Sequence, residues 1–274
     1  MKKLKVFLCL TLIFIMMTGC SNDAVQEAEK TELIVFAAAS MTETLTELGN
    51  QYMAEHDDVN IVFNFDSSGT LKTQIQEGAD VDIFISAGQK QMNELDITAS
   101  PEVNTENLDF VIEGSRFDIL ENKVVLTVPE GNPAGVNSFD DLKVRLEEGT
   151  VMMAMGNSDV PVGQYTQKIL TYFGLSEEKL VSSGCITYGS NVKEVTTQVS
   201  EAVVGCGIVY QTDAYSAGLD IVDTATNEMC GQVIYPAAVM NVSENQELAK
   251  DFLKYLTTDI ANNVFEEVGF TPIK

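Results

Sequence analysis

Apolar runs and amphipathic stretches alternate along most of this chain. Leu33 to Ala38 is unbroken apolar sequence, and Met41 to Glu55 then carries Leu45, Leu48 and Tyr52 at helical spacing. Val59 to Phe65 and Val81 to Ser86 read as further strands, with helices over Leu71 to Gln76 and Gln89 to Leu95. After Gly114 the alternation resumes. Strands are predicted at Lys123 to Val128, Val151 to Met155, Gly207 to Tyr210 and Gln232 to Asn241. Helices are predicted at Phe139 to Leu146, Gln164 to Phe173, Val192 to Ala202, Gln246 to Thr257 and near Ile260 to Val268. Strands that are apolar throughout are those covered on both faces, so the pattern predicts an α/β fold with mostly parallel sheets flanked by helices. In open sheets of this kind, ligands sit beyond the carboxyl ends of the strands, which directs attention to the strand-to-helix turns.

The N-terminus has a different character. Lys2, Lys3 and Lys5 precede an apolar run from Val6 to Met17. A membrane-spanning helix needs roughly 20 apolar residues, so this shorter run behind a basic start reads as a secretory signal peptide. It ends in Met17-Thr18-Gly19-Cys20, which resembles a bacterial lipobox with Met where Leu is more usual; cleavage would leave Cys20 carrying a lipid. Residues 21–31 hold one hydrophobic branched residue, Val25, and no aromatic, and are expected to form a flexible tether.

Charge then removes whole classes of partner. Sixteen lysines and arginines face 41 aspartates and glutamates, a net charge of −25. Loss of the three signal lysines leaves 13 basic residues against the same 41 acids. Such a field repels nucleic acid and anionic lipid head groups. It also gives no long-range help to a small anion, which would need neutral, preorganised, short-range donors. Beyond Cys9 and Cys20, the three cysteines Cys185, Cys206 and Cys230 show no CxxC spacing, so no zinc site and at most one disulfide are expected.

Four turns stand out. Ser40 followed by Glu43 has capping-box spacing and places Ser40 at a helix N-cap. Asp66-Ser67-Ser68-Gly69-Thr70 is a second hydroxyl-rich helix start after a strand. Helix N-termini bind anions through free N–H groups and the helix dipole. In the third turn Pro161 suits a first helical position, and Val162 can offer only its backbone N–H. In the fourth, Asn191 is a candidate N-cap and Val192 again offers an amide. Tyr210 ends an apolar strand with a phenol, which taken alone is a structural residue that needs a hydrogen-bond partner.

The strings LIVFAAASMTETL, FNFDSSGTLKTQI, ADVDIFISAGQKQM, VPVGQY, NVKEV, GIVYQTDA and EVGFTPIK resemble, in order, those of periplasmic molybdate-binding proteins, over residues 32–274. The resemblance implies the type II periplasmic-binding-protein fold, two α/β lobes with a ligand cleft between them. It implies an oxyanion site built from Ser40, Ser68, Val162, Val192 and Tyr210, with no direct metal ligand, no catalytic residue and no cofactor. Molybdate and tungstate would be the transported ligands, handed to an ABC permease by a monomeric protein held outside the cytoplasm on the membrane by its lipid at Cys20. The expected division is a signal peptide over 1–19, lipidated cysteine and tether over 20–31, one lobe from 32–112 plus 235–274, and a second from 113–234. The chain would cross between lobes near 111–122 and 228–236. Asp66 departs from what an anion site wants and is expected to point outward.

Three rivals are weighed against this: the same fold with another ligand, an enzyme, and a surface adhesin or sensor of the same fold, which the sequence does not separate from a transport partner. A type II binding protein for sulfate, phosphate or an organic ion such as a polyamine shares the fold, although a cation would need acidic turns rather than hydroxyls and amides. An enzyme has little support: His56, the one histidine, lies in the polar string AEHDDVN, and no HExxH, GxSxG or P-loop string occurs.

Overall fold

The computed structural model describes residues 30–273; the signal peptide, Cys20 and nearly all of the expected tether lie outside them. Among the described residues the first element is β1 (Thr31–Ala38), which takes in the last residue of the stretch expected to be tether. It is followed by α1 (Thr42–Glu55), β2 (Val59–Asp66), α2 (Ser68–Gln76), β3 (Ile83–Ile85), α3 (Gln89–Asn93) and β4 (Phe117–Asn122). Then come β5 (Val124–Val128), α4 (Phe139–Glu148), β6 (Met153–Gly156), α5 (Pro161–Tyr172), α6 (Glu177–Ser182), β7 (Ile186–Gly189), α7 (Val192–Ser200), β8 (Cys206–Tyr210) and α8 (Gln211–Ser216). The chain closes with β9 (Asp220–Thr224), α9 (Asn227–Cys230), β10 (Val233–Val239), α10 (Gln246–Tyr255), α11 (Asp259–Val268) and β11 (Thr271–Pro272).

These strands form two sheets, in the orders β11-β4-β10-β3-β1-β2 and β7-β6-β8-β5-β9. The two-lobed α/β expectation holds, but the sheets are mixed rather than mostly parallel. β1 pairs parallel with β2 and β3, and β6 parallel with β7 and β8. β10, β4 and β11 run antiparallel in the first sheet, as β5 does against β8 and β9 in the second. In the first sheet the physical reason is the return of the C-terminal segment. It inserts β10 between β3 and β4 from the opposite direction.

That pairing also fixes where the chain crosses between sheets. β4 pairs with β10 in the first sheet, so the chain changes sheets at Lys123, between Asn122 and Val124, and not at 112/113. It returns between Thr224 and Val233, through α9. Pro236 stands inside β10 although a proline cannot donate to a ladder. It is accommodated at a register shift between Tyr235 and Pro236, where the pairing is already interrupted.

β1 shows how its residues divide. Leu33, Val35 and Ala37 face the helices α1, α10 and α11, packing with Leu45, Leu48, Phe252 and Phe265. Phe36 faces the other way, onto Leu71 and Ile75 of α2 and Met92 of α3. Burial on both faces is why the run reads as continuous apolar sequence instead of an alternation. The second sheet is covered in the same manner by α5 and α7, with Val162, Ile169, Val195 and Val199 fully or almost fully buried. Cys185, Cys206 and Cys230 are buried free thiols, so no disulfide forms among the described residues.

Candidate functional site

The carboxyl ends of strands from both sheets turn towards one cleft, and α2, α5 and α7 are among the helices that begin there. α2 is capped by Ser67, whose hydroxyl accepts from the Thr70 N–H at 3.1 Å; Ser68 is therefore the first helical residue. α5 starts at Pro161 with Val162 next, behind the extended Val160. α7 is capped by Asn191, whose side chain accepts from the Glu194 N–H at 3.1 Å, and Val192 comes first in the helix. N–H groups in a first turn have no intrahelical acceptor. Among the described residues, the N–H groups of Ser68, Val162 and Val192 also have no loop or cross-strand backbone acceptor. Gly163 lets α5 sit hard on the end of β6, since a Cβ there would lie 2.3 Å from the Gly156 carbonyl oxygen.

Ser40 behaves differently from the expectation. It falls in a 3-10 turn over Ala39–Met41, and α1 begins at Thr42 with Met41 at its N-cap and no side-chain cap. The capping box does not form because both partners are engaged elsewhere. The Ser40 hydroxyl shares a 2.8 Å hydrogen bond with the Tyr235 hydroxyl, and Glu43 reaches to Lys193 of the other lobe.

Hydrogen bonds tie these positions together. Ala87, in the turn after β3, donates its N–H to the Ser68 hydroxyl at 2.9 Å. Its carbonyl accepts from the Tyr210 hydroxyl at 3.3 Å. The Tyr210 ring meets Tyr235 edge to face, with centroids 5.9 Å apart. Asn122 donates to the Tyr235 hydroxyl at 3.2 Å and to the Thr212 hydroxyl at 2.9 Å. Ser40, Ser68 and Tyr210 are thus linked through Tyr235 and the Ala87 peptide. Pro161, next to Val162, lies against Gly88, next to Ala87, and α7 packs against the 3-10 turn that holds Ser40. The structure therefore brings all five candidate residues to one place, and all five are buried.

Asp66 does not point outward. Its carboxylate accepts from the Ser67 N–H at 2.7 Å and from the Asn191 side-chain amide at 3.3 Å, across the cleft. The charge is absorbed by one backbone N–H and by the cap of the opposing α7. Burial pushes the phenols of Tyr210 and Tyr235 well above their ordinary range, so both stay protonated and can donate.

Sequence reasoning missed Tyr235, Ala87, Asn122 and the cross-lobe pair Glu43–Lys193. The one signal for Tyr235 was a phenol in the middle of the apolar string VIYPAAV, where a buried hydroxyl requires a partner. Chemically, the cleft presents helix N-termini and neutral hydroxyls. It suits an anion that only accepts hydrogen bonds. Among the described residues no group of three or more His, Cys, Asp or Glu could hold a metal ion.

Residues 33–271 match the family profile described as bacterial extracellular solute-binding protein. A Bacillus subtilis (strain 168) chain, provisionally named an ABC transporter substrate-binding lipoprotein, is 31% identical over 274 residues, covering 98% of each chain. The molybdate-binding protein ModA of Haemophilus influenzae is 31% identical over 248 residues, covering 89% of this chain and 91% of its own. The solved periplasmic molybdate-binding protein of Azotobacter vinelandii superposes with a TM-score of 0.73 at 22% identity, over 88% of this chain and all of its own, which is a likeness of fold.

Proposed function

Because the chain belongs to the bacterial extracellular solute-binding proteins, which are not enzymes, we propose that it binds molybdate, and tungstate with it, and delivers the oxyanion to the permease of an ABC importer. The observation that carries this reading is the meeting of three helix starts with buried neutral hydroxyls at a cleft between two sheets. Ser68, Val162 and Val192 supply first-turn N–H groups, and Ser40, Ser68 and Tyr210 supply hydroxyls. The similarity to the molybdate-binding protein of Haemophilus influenzae supports the choice of ligand.

The chemistry selects among anions. Molybdate and tungstate are fully ionised at neutral pH, so their oxygens only accept. Hydrogen bonds to such a charged acceptor are worth about 1.5–3 kcal/mol each. Hydrogen phosphate carries a proton that a ring of donors leaves unmatched. Sulfate also only accepts and must be refused by its smaller size. In a chain of net charge −25, these local dipoles do the holding. The protein would act as a monomer tethered by lipid on Cys20, a residue outside the described part.

The test is thermal unfolding of the soluble chain from Ser21 with molybdate, tungstate, sulfate, phosphate or spermidine. A ligand at a thousand times its dissociation constant stabilises by about 4 kcal/mol, which raises the midpoint by roughly 8–16 °C at this size. A rise of that order with molybdate and tungstate alone is expected. A rise with sulfate, phosphate or spermidine alone would leave the fold intact and replace the ligand.

A further inference from the structure

Lys193 is the second residue of α7, directly after Val192, and its ammonium meets two carboxylates on different lobes. It lies 2.8 and 2.9 Å from the two oxygens of Glu43, in the first turn of α1 on the first lobe. It lies 3.3 Å from Asp213 Oδ1, on α8 of its own lobe. Glu43 is half exposed, with 51% of its side chain accessible. Asp213 is entirely buried, and neither of its oxygens receives a directed hydrogen bond among the described residues. The Asp213 contact is therefore one of charge, and Lys193 is the cation that compensates it.

That asymmetry gives the three residues separate tasks. A buried carboxylate without its counter-charge is strongly unfavourable, so Asp213 keeps the Lys193 ammonium at the lobe boundary whether or not Glu43 is near. Burial alone would lower the Lys193 ammonium's pKa, but Asp213 and Glu43 outweigh it and raise it above its usual value. An ordinary surface ion pair gains little because two long side chains must be immobilised to make it. Here one of the two is already held in place before the lobes meet.

We propose that Lys193 is a positioning residue for the cleft: anchored by Asp213, it clamps Glu43 of the opposite lobe on closure and slows release of the bound anion. The proposal rests on the oxyanion-binding reading and on closure by hinge motion between the two lobes. It assigns the clamp to the release step because the Glu43–Lys193 contact forms only when the lobes are together.

The experiment is stopped-flow dissociation of molybdate from the soluble chain, wild type beside Glu43→Gln, Lys193→Gln, Lys193→Arg and the double Gln variant. Glu43→Gln leaves the Asp213–Lys193 contact whole and so tests the clamp even if Lys193→Gln folds poorly. Release from Glu43→Gln is expected to be about fivefold faster, with association changed less than about twofold, as for an ion pair at the upper end of its range. The double variant should release no faster than Lys193→Gln, and Lys193→Arg should stay near wild type. Added salt should speed release from wild type and leave Glu43→Gln unaffected, a response that a purely structural role would not give. Unchanged release from Glu43→Gln in a preparation whose wild type binds molybdate tightly would overturn the clamp alone. Failure of the wild type to bind any tetrahedral oxyanion would overturn the functional reading and the clamp with it.

Discussion

Gly69 on α2 faces the carbonyl oxygen of Asp159 so closely that a Cβ on Gly69 would lie 2.2 Å from it. The two residues belong to different lobes, Gly69 in the first turn of α2 and Asp159 in the turn that leads into α5. Backbone meets backbone here, and no flexible side chain can yield.

Gly69→Ala is therefore expected to separate stability from binding. Alanine is the better helix former by about 1 kcal/mol, so the ligand-free protein should unfold at an equal or higher temperature. The added methyl would wedge the lobes apart, and affinity for the anion should fall by on the order of tenfold or more. Thermal unfolding and calorimetric titration of the same sample measure both; unchanged affinity would mean that the lobes need not approach this closely.

Asp213 gives the folded protein a distinct acid response. Burial raises its carboxyl to about 6, against an ordinary 3.8, with Lys193 drawing it back and Glu43 adding to the rise. A carboxyl raised in this way binds its proton more tightly in the folded state, so its contribution to stability is fullest below pH 4. That contribution is lost as pH rises from about 4 through 6, an effect on the order of 3 kcal/mol. Denaturant unfolding of wild type and Asp213→Asn across pH 4–7 reads it as a difference between the two curves. Parallel curves would show that Asp213 titrates as an ordinary exposed carboxyl.

Tyr235 is expected to matter for order within the cleft. Its hydroxyl serves Ser40 at 2.8 Å and Asn122 at 3.2 Å, all three buried. Tyr235→Phe leaves both partners short of a hydrogen bond, at about 1–3 kcal/mol of stability. Ser40→Ala and Ser68→Ala should each weaken molybdate binding by on the order of 1–3 kcal/mol. Full affinity in the double serine variant would remove both from the site.

The three described thiols should be silent in the native state. Burial pushes the Cys206 thiol up to about 12, and Cys185 and Cys230 are buried as well. A thiol reagent at pH 8 should label the soluble chain only on unfolding, and a reductant should leave its midpoint unchanged. Rapid native labelling would show that one of these residues is reached by solvent.

How far the fold could be read in advance followed burial. β1 from Leu33 onward, β5, β6, β8 and β10 are buried on both faces, and each appears in the sequence as a nearly continuous apolar run. β9 is an edge strand, half exposed, and its string DIVDT resembles any polar loop. β4, as FDILEN, carries three polar side chains in six residues, and missing it displaced the boundary between lobes. α6, α8 and α9 are four to six residues long, too short to display a helical period. The site divided along the same line. Ser67, Pro161 and Asn191 act on their own helices and announce themselves locally, whereas Ser40 is 195 residues from its partner Tyr235 and Glu43 is 150 from Lys193. Only the closed fold brings such pairs together, and in doing so it overrode the local cap that Ser40 and Glu43 would otherwise make.

The place of β10 in the first sheet has a further consequence, for the order in which the molecule is made. Every strand of the second sheet has been synthesised by Thr224, so that half holds all its partners while the rest of the chain is still arriving. The first sheet is then in two pieces, β1–β3 on one side and β4 on the other, with nothing between them. Only the last segment, from Val233 onward, supplies the strand that joins them, with α10 and α11, which cover one face beside α1. The half that starts first is therefore finished last. Pairings this distant in sequence form slowly, so the first lobe completes its sheet after the second.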